Sequence, residues 1–107
     1  RDGILSLPSG WKHYETILDI DCYLRNKYNT LLSNTQRKIK FQEKEFIPDL
    51  LSVIESKENG FVFFIEVDMG TEDSKIIKDK IKIYNDYFQS NGWKEGVWNQ
   101  YFEEPVF

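Results

Sequence analysis

One cysteine, Cys22, is all the sequence has, so an internal disulfide framework is excluded and a cytoplasmic setting is expected. No apolar run approaches the roughly 20 residues that a membrane span needs, and the N-terminal residues lack a signal-peptide pattern. Nor is there an excess of positive charge: 14 Lys and Arg stand against 18 Asp and Glu, a formal net charge of -4. A domain that grips DNA by bulk charge alone is thereby excluded, because non-specific affinity comes from neutralised phosphates. Internal repeats and low-complexity tracts are absent as well. Met69-Gly70-Thr71 is too short for a phosphate-binding glycine loop.

What is present is a chain of 107 residues with 3 Trp, 6 Tyr and 8 Phe to fill one core, as a single domain requires. Arg1 at its start and the apolar Pro105-Val106-Phe107 at its end suit a fragment of a longer protein. Basic residues cluster at 36–44 and 75–82, acidic ones at 43–58, 66–73 and 103–104. That asymmetry fits either one basic face or an ordinary solvated surface.

Periodicity predicts the elements. After a turn over Ser6 to Gly10, the apolar spacing of Trp11, Tyr14, Ile17, Leu18, Cys22, Leu24 and Tyr28 predicts an amphipathic helix. Cys22 is then a small buried hydrophobe, His13 lies outside the arc and is exposed, and Asp21 and Arg25 form an i,i+4 ion pair. Asn29 to Gln36 reads as a loop or a frayed helical end, and 37–43 as a half-exposed strand around Ile39 and Phe41. A second strand runs from about Asp49 to Glu55 after Pro48. Asn59-Gly60 signals a hairpin into a third strand, Phe61 to Asp68, whose nearly continuous apolarity predicts a central position. A helix over about 74–90 follows, capped by Thr71 or Asp73 and closed at Asn91-Gly92, and Val106-Phe107 starts a last edge strand. The order helix, strand, strand, strand, helix, strand fits an α/β or α+β domain with a small mixed sheet flanked by two helices.

Two carboxylates in this pattern need a partner or a task. Asp49 opens the second strand and Glu66 sits within Phe64-Ile65-Glu66-Val67-Asp68, both inside apolar runs where an ionised group is costly. Period two puts Glu66 and Asp68 on one face of the third strand, and the hairpin brings Asp49 near Glu66. Such a cluster suits a hard divalent cation, Mg2+ or Mn2+, that activates water and neutralises a phosphate; it equally suits helix caps and solvated strand ends. Lys80 stands within the apolar arc of Ile76, Ile77, Ile81, Ile83, Tyr84, Tyr87 and Phe88. It must either snorkel outward or meet an anion, with Asp49, Glu66 and Asp68 in range. Lys75, Lys78 and Lys82 lie on the opposite, solvated side. Tyr84 and Tyr87 either pack only or also offer a hydroxyl.

At Ile47-Pro48-Asp49, at Phe64-Ile65-Glu66-Val67-Asp68-Met69-Gly70-Thr71-Glu72 and at Lys80-Ile81-Lys82-Ile83-Tyr84 the chain resembles the replication-relaxation protein family of plasmid replication and mobile elements. The resemblance runs from about His13 to Phe107 and implies a relative of the restriction-endonuclease-like fold. It further implies a DNA-associated domain, with replication or mobilisation proteins as partners and a DNA-binding winged-helix region ahead of it in the longer protein. By that resemblance Asp49 and Glu66 are the metal-binding acids, with Glu15 as a weaker candidate for the accessory acid; a metal-dependent phosphodiesterase version of this reading adds Asp68 as a positioning group and Lys80, substituting from the helix, as the phosphate-stabilising cation. The nuclease superfamily places lysine two residues after the second acid, and Asp68 stands there instead. That departure leaves two versions open, a working nuclease or a relative that kept the fold without turnover. A non-catalytic protein-interaction or scaffold module is the alternative outside this lineage.

Overall fold

The first described element is an α-helix, Trp11–Lys27 (α1), in a computed structural model that describes residues 11–70 and 73–107. Its contact face is rotated from the one the aromatic residues imply. Ile17 and Leu24 are buried and Ile20 is partly so, which with His13 gives an i, i+4, i+7, i+11 row on one side of the helix. Tyr14, Leu18, Tyr23 and Cys22 are exposed, so the buried-cysteine expectation is corrected. Cys22 lies half a turn away from that row. The Asp21–Arg25 ion pair forms as expected, with Arg25 Nε 3.1 Å from Asp21 Oδ1. Ser33 Oγ also donates to Asp21, tying the helix to the strand that follows.

That strand, Asn29–Asn34 (β1), replaces the expected loop or frayed helical end. It pairs antiparallel with Leu50–Ser56 (β4), and the register shifts between Thr30 and Leu32. The bulge at Leu31 explains the discrepancy, because an extra residue breaks the period of two on which the reading depends. The expected strand over 37–43 is instead a small hairpin of Ile39–Phe41 (β2) and Lys44–Phe46 (β3), with Gln42 at φ 54° in the turn.

Asn59–Ile65 (β5) completes the hairpin with β4, giving the order β1-β4-β5. β4 is therefore the central strand, not the more apolar β5, and its Leu50 to Ile54 segment is buried throughout. The hairpin loop consists of Lys57 and Glu58, both at positive φ. Gly60 serves a different end, since a Cβ there would lie 2.2 Å from the Phe102 ring. On its other edge β5 meets the C-terminal segment: Val62 N–H donates to Val106 O and Val106 N–H to Gly60 O, a parallel bridge that makes the sheet mixed.

The second long helix, Ser74–Gln89 (α2), is capped by Asp73, whose carboxylate accepts from the Ile76 N–H at 2.9 Å. The turn expected over Ser6 to Gly10 and the alternative cap Thr71 lie outside the described residues. Asn91 takes the left-handed conformation just beyond the helix, as the Asn91-Gly92 closure predicts. Alternate residues of β4 and β5 face opposite helices. Leu50, Ile65 and Val67 pack with α1, whereas Leu51, Val53, Val62 and Phe64 meet Tyr87 of α2 and Trp98 of a short 3-10 turn. Edge-on ring contacts join Phe41, Phe46, Phe64, Tyr87 and Trp98 into one aromatic layer. The result is a small mixed sheet flanked by two helices. No described helix is long and apolar enough to cross a membrane.

Candidate functional site

Where β4 begins and β5 has just ended, the two acids come together. Pro48 is buried and sets the extended approach to Asp49, whose own N–H donates to Glu66 Oε2 at 3.3 Å. Asp49 Oδ2 in turn accepts the Val67 N–H at 2.8 Å. These reciprocal bonds continue the β4–β5 ladder past Leu50 and Ile65 through side chains, satisfying main-chain donors the sheet no longer pairs. Glu66 is thus placed beyond the strand rather than on its face.

From α2, two side chains converge on the same carboxylate. Lys80 Nζ lies 3.3 Å from Glu66 Oε1, and the Tyr84 hydroxyl donates to Glu66 Oε2 at 2.6 Å. Lysine in the apolar arc of α2 therefore meets an anion, with Ile77, Ile81 and Tyr84 lining the cleft around it. Tyr84 also packs edge-on against Phe46, so packing and hydrogen bonding are combined. Asp68 lines the same cleft, but its carboxylate accepts the Gly70 N–H at 2.8 Å and caps the turn in which Gly70 has φ +78°. Glu15 lies on another side of α1 from His13.

His13 completes the arrangement, and its expected exposure is corrected. Its Nε2 lies 3.1 Å from Asp49 Oδ2 and 3.0 Å from Val67 O. A main-chain carbonyl only accepts, so Nε2 is the protonated nitrogen and donates to both oxygens. The i, i+4, i+7, i+11 row His13, Ile17, Ile20, Leu24 is the signal that locates it. The large aromatic residues of the same helix draw the apparent apolar arc elsewhere. Among the described residues, no group of three or more His, Cys, Asp or Glu side chains is placed so that it could together hold a metal ion.

The replication-relaxation family model matches residues 11–99. The chain belongs to that family. No curated protein and no solved structure matches it. In this replication-relaxation chain the matched segment holds His13, Asp49, Glu66, Lys80 and Tyr84 together, so the whole cluster falls within the family's extent.

Electrostatics give the cluster a signature at high pH. Burial, then the hydrogen bond and charge of Glu66, push the Tyr84 phenol well above the usual tyrosine range; burial does the same for Tyr87. The fold favours the neutral phenols, so their contribution is complete below the ordinary value of about 10 and is lost as pH rises toward the higher folded values. In an alkaline absorbance titration, Tyr84→Phe and Tyr87→Phe should each remove a late-ionising phenol. A titration in which neither change removes late absorbance would contradict this environment.

Proposed function

We propose that this chain is a DNA-associated domain of restriction-endonuclease-like ancestry, whose acidic cluster has become a structural joint instead of a phosphodiester-cleaving centre. Family membership supports the association with DNA; a helix, the antiparallel sheet β1-β4-β5 with the β2–β3 hairpin inserted after its first strand, a second helix and a parallel bridge are the arrangement on which the ancestry is proposed. One observation carries the joint: both oxygens of Glu66 and Oδ2 of Asp49 are taken by donors of the protein itself. With His13, those donors come from α1, the residue before β4, the segment after β5 and α2, so the carboxylates fasten four parts of the chain at one corner. In the longer protein, a preceding winged-helix region and replication or mobilisation proteins are the partners this reading favours.

A resident Mg2+ or Mn2+ on Asp49 and Glu66 fits this donor set poorly. Magnesium needs oxygen ligands at about 2.0–2.1 Å in near-octahedral array, whereas here an ammonium, a phenol and an imidazole N–H already surround the acids. Lys80 beside Glu66 is the feature that keeps the phosphodiesterase reading as the rival, with Lys80 turning from Glu66 to phosphate.

Contact with DNA is assigned to the exposed side of α2. Lys75, Lys78 and Lys82 fall at i, i+3 and i+7, three exposed ammonium groups along a side of α2 that they share with Asp79. Fluorescence anisotropy with duplex DNA at low salt tests both parts. Replacing all three lysines by glutamine should weaken binding and flatten the salt dependence by about 0.9 in slope for each phosphate no longer neutralised. Unchanged binding in that variant would overturn this assignment. Magnesium-dependent cleavage of supercoiled or branched DNA, abolished by Asp49→Ala, would replace the joint by the rival reading.

A further inference from the structure

We propose that His13 is a built-in stand-in for a cation: its Nε2–H occupies the position between the Asp49 carboxylate and the Val67 carbonyl and keeps divalent metal out. The inference rests on the reading of the cluster as a joint held by protein donors, and goes beyond it by naming the side chain that closes the site.

The two oxygens that His13 bridges are of the kinds a hard cation selects, a carboxylate and a main-chain carbonyl. A cation within about 2.1 Å of both and an imidazole nitrogen 3.1 and 3.0 Å from the same two atoms compete for one space. The N–H dipole also turns its positive end toward that space. His13 therefore supplies what the oxygens need, either as the neutral Nε2–H tautomer or as the imidazolium, because both of these carry a proton on Nε2.

Its placement is structural, not fortuitous. Ile17, Ile20 and Leu24 seat α1 against Leu50 and Val67, which fixes the height of His13 over the end of the sheet. Asp49 Oδ2 receives the Val67 N–H from one side and His13 from another, so the carboxylate is oriented before any ligand arrives. Removing the imidazole leaves this oriented carboxylate and a carbonyl without its side-chain donor, facing the space the ring had filled. Lys80 and Tyr84 hold Glu66 on the far flank and are untouched by the change.

The test is binding of Mn2+ alone, followed by the decrease of the free-ion electron paramagnetic resonance signal, in wild type, His13→Ala and His13→Ala/Asp49→Asn. His13→Ala should bind at least about tenfold more tightly than wild type, in line with the size of effects around metal ligands, and the double variant should bind no more tightly than wild type. Equal binding by wild type and a folded His13→Ala, or a tightening that survives Asp49→Asn, overturns the proposal. A second measurement needs no variant: the long-range nitrogen-15 spectrum of the wild-type ring should place the proton on Nε2. A neutral ring protonated only on Nδ1 would overturn it. If Mn2+ binding does not tighten while Glu66→Gln still destabilises the chain, the stand-in falls and the joint stands.

Discussion

Asp49→Ala is expected to destabilise the domain by about 2–3 kcal/mol, because it strands a donor at a position that water reaches poorly. Val67 is buried, and its N–H has the Asp49 carboxylate at 2.8 Å as acceptor. The same change leaves His13 bonded only to the Val67 carbonyl, so the N-terminal part of α1 loses a polar anchor to β4. Asp49→Asn should cost less. Its amide oxygen, standing where Oδ2 stands, can still accept from both the Val67 N–H and His13 Nε2–H, so only the carboxylate charge behind those bonds is lost. Urea unfolding should rank wild type above Asp49→Asn above Asp49→Ala, and hydrogen exchange should quicken first at Val67. Equal stabilities for all three would contradict the assigned role.

The larger effect belongs to the aromatic layer. Trp98→Ala should cost about 3–5 kcal/mol, the range for deleting a buried large ring, which is a substantial part of the roughly 5–15 kcal/mol that hold a domain together. Trp98 is 1% exposed and is the largest fully buried side chain among the described residues. Its ring meets Phe64 and Phe107 edge-on, and its Nε1–H donates to the Trp93 carbonyl at 2.9 Å. The indole also lies over Gly96, where an added Cβ would sit 2.0 Å from the ring. Gly96→Ala should therefore be destabilising through Trp98, even though Gly96 itself has an ordinary φ of -74°. Chemical denaturation of both variants checks the pair; a neutral Gly96→Ala would mean that the indole is not seated as described.

The helix over 74–90 is legible by its broad apolar arc, and the β4–β5 hairpin by two apolar runs on either side of a turn signal. The approach of Asp49, Glu66 and Lys80 is legible for a related reason: a charge inside an apolar run has few places to go, and such charges on adjoining elements find one another. β1 is hidden by its bulge and by the polar residues at both its ends. The short hairpin around Gln42 is hidden because its turn lacks glycine and asparagine, the residues that normally announce a left-handed conformation. Apolarity points to β5 as the central strand, yet Phe63 remains part-exposed, because α1 lies across β1 and β4 instead. His13 is the most consequential miss. Its partners are a main-chain carbonyl and an acid 36 residues away, and only the tertiary fold brings them together.

Glu66 is the residue at the centre of the joint, since it accepts from the Asp49 N–H, from Tyr84 and from Lys80. A carboxylate kept for metal chemistry is held at a cost to stability, so neutralising it tends to leave a fold unchanged or firmer. One that fastens a joint does the reverse. The direct measurement is the unfolding free energy of Glu66→Gln against wild type, by urea titration in chelator-treated buffer. A decrease of about 1–2 kcal/mol is predicted from its charge-assisted hydrogen bonds, discounted for partial exposure. A variant as stable as wild type, or more stable, would contradict the joint and return Asp49, Glu66 and Lys80 to the phosphodiesterase reading.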